Sequence, residues 1–163
     1  MDVIGTGFRL LLLLAVANAA PIVAARLLGA RWRAPLDGGL RFVDGQPLFG
    51  RSKTVRGVIA AIAATALAAP ALGIAPQIGA ILGATAMAGD ALSSFVKRRL
   101  GIPASGRATG IDQVPESLLP LLAVRAPLEL SWLQVAAVTT LFVALEIPVA
   151  RLLHRFGLRD RPY

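Results

Sequence analysis

The 33 residues from Gly57 to Gly89 contain no charged side chain, and this stretch limits the possible folds more than any other feature. About 20 apolar helical residues are enough to cross a bilayer core, so the stretch is too long for one crossing. It breaks between Ala69 and Pro76, where Pro70, Gly73 and Pro76 interrupt a helix. The pattern predicts a helical hairpin in the membrane, about residues 55–72 and 76–96.

Three more apolar segments extend this pattern along the chain, about residues 6–28, 111–128 and 131–153. Of the 163 residues, 56% are hydrophobic and 16% are charged, and the mean hydropathy is +0.69. Because the apolar residues come in long blocks, they favour membrane spans over a soluble core. The chain is therefore predicted to be an all-α polytopic membrane protein with about five transmembrane helices. Asn18 and Pro21 interrupt the first segment, so we expect a retained span and not a cleaved signal.

The cations predict the orientation of these spans. We place three regions in the cytoplasm: loop 29–54, loop 97–109 and the C-terminal tail. In this orientation fifteen of the seventeen Lys and Arg residues lie inside, and only Arg9 and Arg125 lie outside. The positive-inside rule then predicts the N-terminus out and the C-terminus in, within the cell (inner) membrane. The same rule explains the net charge of +8, so we expect no nucleic-acid partner.

Residue usage excludes several chemistries. The chain has no cysteine, which excludes disulfides, a thiolate zinc site and a cysteine nucleophile. Its single histidine, His154, excludes a histidine-rich metal site within one chain. Any active site is therefore expected on the two inner loops and the helix ends beside them, facing the cytoplasm.

Asp90 interrupts the apolar pattern near the end of the third segment. A carboxylate at membrane depth is costly unless it meets a cation or a wet cavity, which makes Asp90 a functional-site candidate, with a structural salt bridge as the alternative. Helical spacing places Ser94 and Lys97 or Arg98 on the same face. Asp112 begins the fourth segment. Mg²⁺ prefers oxygen ligands from one or two carboxylates, with water and phosphate completing its shell, so Asp90 and Asp112 form a candidate pair.

The first loop also suits a phosphate. Its glycines permit close backbone approach, and Asp37 and Asp44 alternate with cations. A helix predicted to start near Thr54 would bring amide groups beside Lys53 and Arg56, and such a terminus favours an anion. Ordinary positive-inside charge explains this loop equally well, so both interpretations stay open.

Taken together, these motifs resemble those of the CDP-archaeol synthases, which are membrane cytidylyltransferases related to bacterial phosphatidate cytidylyltransferases. The resemblance covers nearly the whole chain and includes the five-span arrangement. Three motifs in the right order carry the resemblance, together with Asn18 and Pro21 of the first span. The first motif is Asp44-Gly45 with Gly50-x-Ser52-Lys53-Thr54-x-Arg56-Gly57, the second is Asp90 with Ser94-Phe95-Val96-Lys97-Arg98-Arg99-Leu100-Gly101, and the third is Asp112-Gln113.

The resemblance implies one integral membrane domain, residues 1–163, that transfers CMP from CTP to a lipid phosphate with Mg²⁺ as cofactor. It implies catalytic roles for Asp90, Asp112 and Lys97. Where the family has a second aspartate after Asp-Gln, this chain has Pro115 followed by Glu116; either Glu116 becomes a third metal ligand or that carboxylate is absent. The implied substrate-binding residues are Asp44, Ser52, Lys53, Thr54, Arg56, Ser94, Arg98, Arg99 and Gln113, with Asp37 a weaker candidate.

Two other functions stay open at this point. A CTP-dependent lipid or polyprenol kinase would use a similar site but release CDP. A transporter or non-catalytic scaffold is the other alternative, although a transporter would place its polar residues near the bilayer midplane and these collect at one face. The expected partners are CTP, a lipid phosphate and membrane lipid. The type of lipid and a homo-oligomeric assembly are both left open by the sequence.

Overall fold

A computed structural model of the chain describes residues 3–103, 106, 108 and 110–155. These residues contain no β-strand, and their only β-pairing is two isolated bridges in the first loop. The predicted all-α class is confirmed. The helices are α1 (Val3–Leu28), α2 (Val55–Ala68), a short 3-10 helix (Ala69–Leu72), α3 (Pro76–Arg99), α4 (Gln113–Ala123) and α5 (Trp132–Arg155).

Within the described part of the chain, three helical segments are long and apolar enough to cross a membrane: Ile4–Leu28, Val55–Leu72 and Pro76–Arg99. A shorter apolar helix, Trp132–Glu146, forms the first part of α5. The predicted hairpin is present, and its break coincides with the 3-10 helix and with Gly73, whose φ of 69° is left-handed. The chain is therefore an integral membrane protein. The side of the membrane on which each terminus lies stays a prediction.

The fourth predicted span is shorter than expected. α4 has 11 residues, or about 16 Å at the helical rise, which is roughly half of a bilayer core. Residues 124–129 form turns and end at Glu129 with a φ of 50°. Pro127 explains the early end, because it disfavours helical geometry at Ala126. Of the five predicted spans, the fourth is therefore corrected to a helix shorter than a bilayer core, whereas α5 covers the predicted fifth segment with 24 residues.

Small residues let the helices of the hairpin pack closely. A Cβ atom built on Gly79 would lie 2.5 Å from the Thr65 carbonyl oxygen, and one on Gly83 would lie 2.9 Å from that of Ala61. Only glycine permits this backbone approach between α2 and α3. The contact fixes the register of α3, and so it fixes the depth of Asp90. Leucine is the most frequent residue of the buried core, at positions Leu10, Leu13, Leu14, Leu82, Leu121 and Leu130.

The first loop, residues 29–54, folds back on itself. The N–H group of Leu36 donates to the Lys53 carbonyl at 2.8 Å, and that of Val55 donates to the Ala34 carbonyl at 3.0 Å. Thr54 caps α2 by accepting a hydrogen bond from the Gly57 N–H, which confirms the predicted helix start. The end of the loop is thus held against the start of α2, beside the charged part of α3.

Candidate active site

Two helices and the first loop meet at Asp90. Its Oδ2 accepts a hydrogen bond from the Nζ of Lys53, so an acid of α3 is paired with a cation of the first loop. Both side chains are partly buried, with 27% of Asp90 and 19% of Lys53 exposed. An ion pair with this burial is screened less than a surface pair. Two residues predicted from separate motifs are therefore in contact.

A second acid–lysine pair lies at the end of α3. The Nζ of Lys97 is 2.6 Å from Oδ1 of Asp112, and the N–H group of Ala108 donates to the other oxygen of Asp112 at 3.0 Å. The backbone carbonyl of Asp112 accepts a hydrogen bond from the Ser93 hydroxyl at 3.2 Å. Asp112 is thus held from α3 and from the second loop.

Gly89 brings the two acids to one side of the molecule. A Cβ at this position would lie 2.6 Å from the carbonyl carbon of Pro115 and 2.9 Å from the Cα of Glu116. The start of α4 therefore packs directly on the α3 backbone next to Asp90. The Glu116 carboxyl interacts electrostatically with Asp90, Asp112 and Lys53, so it lies near both acids.

Arg99 fastens the first loop to the end of α3. Its Nε lies 2.7 Å from Oδ2 of Asp44, and its Nη2 donates to the Pro47 carbonyl at 2.9 Å. The guanidinium also lies 4.8 Å from the ring centres of both Phe42 and Phe95. Through these contacts, Arg99 and Asp44 hold the first loop in position. The cage of two aromatic rings was not predicted from the sequence.

Arg98 is the buried cation of the site. Its side chain lies one helical turn after Ser94, and both residues are at least nine-tenths buried. Arg98 interacts electrostatically with Asp112, yet its Nε and Nη2 have no hydrogen-bond partner. Buried N–H groups without a partner are costly, and an anion such as a phosphate would satisfy them.

A small cavity of about 40 Å³ lies beside the Lys53–Asp90 pair. Ser52, Lys53 and Thr54 line it from the first loop, and Asp90 lines it from α3. Pro21 of α1 closes another side, so the first-span motif also reaches this region. The structure thus brings four of the predicted residues, three from the end of the first loop and Asp90 from α3, around one small opening.

Two predicted residues are used elsewhere. Nη1 of Arg56 donates to the carbonyl oxygens of Gly29 at 2.6 Å and Arg31 at 2.7 Å, so Arg56 holds the chain that leaves α1.

Asp37 is buried within the first loop. Burial alone would raise the pKa of its carboxyl, but N–H groups of Phe49, Gly39 and Gly50 favour the ionised form and hold the pKa below its usual value.

Gln113 is buried at the start of α4, and both polar atoms of its side-chain amide form a hydrogen bond. Its Oε1 accepts a hydrogen bond from the Gly110 N–H at 2.7 Å, and its Nε2 donates to Oε2 of Glu146. Glu146 belongs to α5 and was missed from the sequence. The signal was present, because Glu146 is the one charged residue of the apolar segment Trp132–Glu146, as Asp90 is in its own segment.

The donor set suits Mg²⁺ if substrate and water complete its shell. Asp90 and Asp112 offer the carboxylate oxygens that this ion prefers, and Glu116 lies near both. In the part of the chain that the structure describes, no three acidic or histidine side chains are close enough to hold a metal by themselves. The roles of these residues as ligands stay predictions.

Comparison with known proteins places this site in a family. The family model described as CarS-like CDP-archaeol synthase matches residues 73–163, which is more than half of the chain and includes Asp90 and Asp112. The chain belongs to the CDP-archaeol synthase family. The predicted resemblance is confirmed.

Relatives of the CDP-archaeol synthase family align along most of the chain. The CDP-archaeol synthase of Thermofilum pendens is 35% identical over 162 residues, which cover 91% of this chain and 76% of the relative. That of Aeropyrum pernix is 36% identical over 158 residues, covering 91% and 86%. That of Pyrobaculum calidifontis is 40% identical over 116 residues, which cover 66% of each chain.

The fold also matches that of a solved membrane enzyme. A structure of an intramembrane enzyme for archaeal membrane lipids biosynthesis superimposes with a TM-score of 0.69. It is 33% identical, and the match covers 86% of this chain and 90% of that one. The likeness therefore extends over most of both chains.

Proposed function

We propose that this protein is a membrane cytidylyltransferase that converts CTP and a lipid phosphate into a CDP-lipid and pyrophosphate. An oxygen of the lipid phosphate attacks the α-phosphorus of CTP and forms a new phosphoanhydride bond. The bond between the α- and β-phosphoryl groups breaks, and pyrophosphate leaves with its electron pair. Membership of the CDP-archaeol synthase family supports this activity and favours it over a CTP-dependent lipid kinase.

One observation carries the proposal: Asp90 within α3 and Asp112 at the start of α4 are each paired with a lysine, and α4 packs on α3 beside Asp90. The buried guanidinium of Arg98 lies in the same region with two N–H groups that have no partner. Acids beside several cations match the needs of a metal–triphosphate substrate, since the acids attract the metal and the cations attract the phosphates.

Asp90 and Asp112 are the residues that we propose to hold Mg²⁺, with Glu116 as a third ligand in place of the family's second aspartate. When bound, Mg²⁺ would neutralise charge on the triphosphate oxygens. Lys97 and Arg98 would hold the β- and γ-phosphoryl groups through charge-assisted hydrogen bonds, and Lys53 with Ser52 would hold the lipid phosphate. A phosphate monoester is largely ionised at neutral pH, so no general base is needed, in keeping with a site without histidine or cysteine.

We further propose that the protein lies in the cell (inner) membrane with this site at the cytoplasmic surface. The support is the cation distribution, because the two predicted inner loops, the helix ends beside them and the C-terminal tail carry fifteen of the seventeen Lys and Arg residues. CTP is a cytoplasmic nucleotide carrying several charges, so a site at that surface receives it without a membrane crossing.

The test uses purified protein in detergent with Mg²⁺ and CTP labelled at either the α- or the γ-phosphorus. The lipid acceptors are an ether-linked isoprenoid phosphate, a diacyl phosphatidic acid and, for the kinase alternative, a polyprenol. We expect the α-label in the lipid fraction and the γ-label in pyrophosphate. A γ-label in the lipid would instead identify a kinase. Absence of both labels from every lipid, under conditions in which a family relative is active, would overturn the proposal.

A further inference from the structure

Glu146 is an acid in an otherwise apolar part of α5. Residues from Trp132 to Leu145 contain no charge, and the helix is apolar enough to lie in the bilayer. A carboxylate here is costly unless polar partners compensate for it, so its contacts point to a role. Its Oε2 accepts a hydrogen bond from Nε2 of Gln113, which connects α5 with the start of α4.

The partner groups fix the orientation of the Gln113 amide. Its oxygen faces a backbone donor, the N–H of Gly110, and its nitrogen faces a carboxylate acceptor, Glu146. Only 3% of Gln113 is exposed, so reversing the amide would leave two buried mismatched groups. The oxygen and the nitrogen of the Gln113 amide are thus both engaged by groups of the protein itself.

The same contacts restrain the segment that carries Asp112. Gly110 lies two residues before Asp112, and Gln113 is the residue directly after Asp112. The N–H group of Asp112 donates to the Ala108 carbonyl at 2.9 Å, and its carboxylate accepts from the Ala108 N–H. The chain Glu146–Gln113–Gly110 is therefore a connection from α5 to the turn that orients this candidate ligand.

We propose that Glu146 is a positioning residue of the active site. It holds the Gln113 amide, and the amide holds the turn before α4, so that the Asp112 carboxylate stays directed at the nucleotide and metal. Gln113 thereby acts through Asp112 and not by direct contact with the substrate. The inference rests on the proposed function for its catalytic consequence, but the restraint on the turn is a property of the protein alone.

Hydrogen exchange tests the restraint without any ligand. The variants are Glu146→Leu, which removes the acceptor, and Glu146→Gln, which keeps an acceptor oxygen while losing the charge. We expect Glu146→Leu to speed exchange at the amides of Ala108, Gly110 and Asp112, and Glu146→Gln to restore most of the protection. Glu129→Leu, at an exposed acid in the turn after α4, is the matched control and should leave these amides unchanged.

Binding and kinetics then test the consequence for the site. Residues that orient a metal ligand typically affect affinity or activity by about 10–100-fold, and we expect this loss of Mn²⁺-dependent CTP binding in Glu146→Leu and in Gln113→Leu. The double variant should lose little more than either single one, because both act through one connection.

Three results would overturn the inference: unchanged amide exchange in Glu146→Leu, Glu146→Gln as impaired as Glu146→Leu, or fully additive losses in the double variant. If the unaltered protein neither binds nor transfers CTP, the proposed function fails, whereas the exchange result still decides whether Glu146 restrains the turn.

Discussion

The Nζ of Lys97 lies 2.6 Å from Oδ1 of Asp112, so an ion pair connects the last turn of α3 with the residue before α4. The pairing of Lys53 with Asp90 repeats this arrangement where the first loop meets α3. Both candidate metal ligands thus lie beside a cation suited to phosphate. A metal–nucleotide substrate would find opposite charges at adjacent positions, and the first two predictions follow from this arrangement.

Asp112→Asn keeps the shape of the side chain and removes its charge. We expect kcat/KM for CTP to fall by about 10²–10³-fold, a typical loss for an electrostatic group at a reacting centre. The thermal midpoint should fall modestly, because the ion pair with Lys97 is lost while the amide still accepts the hydrogen bond from Ala108. Initial rates and a melting curve in detergent measure both quantities. Glu129→Gln is the control, and equal rates for it and Asp112→Asn would contradict a catalytic role for Asp112.

Exchanging the charges of Lys53 and Asp90 separates a structural salt bridge from a functional site. Lys53→Asp and Asp90→Lys should each destabilise the protein, and the double variant should recover part of the stability because opposite charges face each other again. We expect no recovery of cytidylyl transfer, since the acid would no longer stand on α3. If the double variant regains activity along with its thermal midpoint, the pair is structural only.

Gly89→Ala tests the close approach of α3 and α4. The added Cβ would overlap the backbone at Pro115 and Glu116, and overpacking of this kind costs about 1–3 kcal/mol. We expect a lower thermal midpoint together with a loss of transfer, because α4 must move away from Asp90. Gly7→Ala on α1 is the matched control, since its Cβ would meet Val138 at an ordinary 3.5 Å. Equal melting curves for the two variants would refute the packing argument.

Arg99→Lys keeps the charge and loses the planar group between Phe42 and Phe95. Cation–π contacts contribute about 0.5–1 kcal/mol at partly exposed sites, so we expect the first loop to open more often. Limited trypsin digestion should then cleave the loop faster, as measured by mass spectrometry of the early fragments. Arg33→Lys, at an exposed position of the same loop, serves for comparison. Identical digestion rates would show that the cage does not hold the loop.

Asp37 makes the first loop sensitive to acid. Its pKa is lower in the folded loop than the ordinary 3.8, so the carboxylate stabilises the loop at every pH above that value. The stabilisation is lost as the pH falls below 3.8 and through the lowered pKa, where protonation removes the acceptor. The protection of the Gly39, Phe49 and Gly50 amides, corrected for the intrinsic pH dependence of hydrogen exchange, should fall only in that acid range. Asp37→Asn should exchange faster at neutral pH and lack the acid step; an unchanged acid step in this variant would contradict the assignment.

Much of this protein was predictable because the signals are local. The uncharged stretch from Gly57 to Gly89 determines a membrane hairpin, since no other structure buries so many apolar residues with satisfied backbone groups. The break at Pro70 and Gly73 follows from backbone chemistry. Asp90 was recognisable as a candidate because a charge in an apolar helix is costly wherever the helix packs.

The remaining features depend on contacts between distant parts of the chain. Arg56 is adjacent to Lys53 in the motif but reaches the end of α1, and the length of α4 depends on a turn that hydropathy does not reveal. Glu146 carries the same sequence signal as Asp90, yet its contact with Gln113 spans 33 positions.

By itself, the sequence determined the all-helical membrane class, the hairpin and the family, because each of these depends on composition and short-range order. Only the tertiary structure decided which acid meets which cation. Side-chain pairing requires the helix register, and the register is set by close approaches such as Gly83 on Ala61 and Gly89 on Pro115, whose partners lie on other helices. These approaches bring the charges of three separate motifs together at one end of α3.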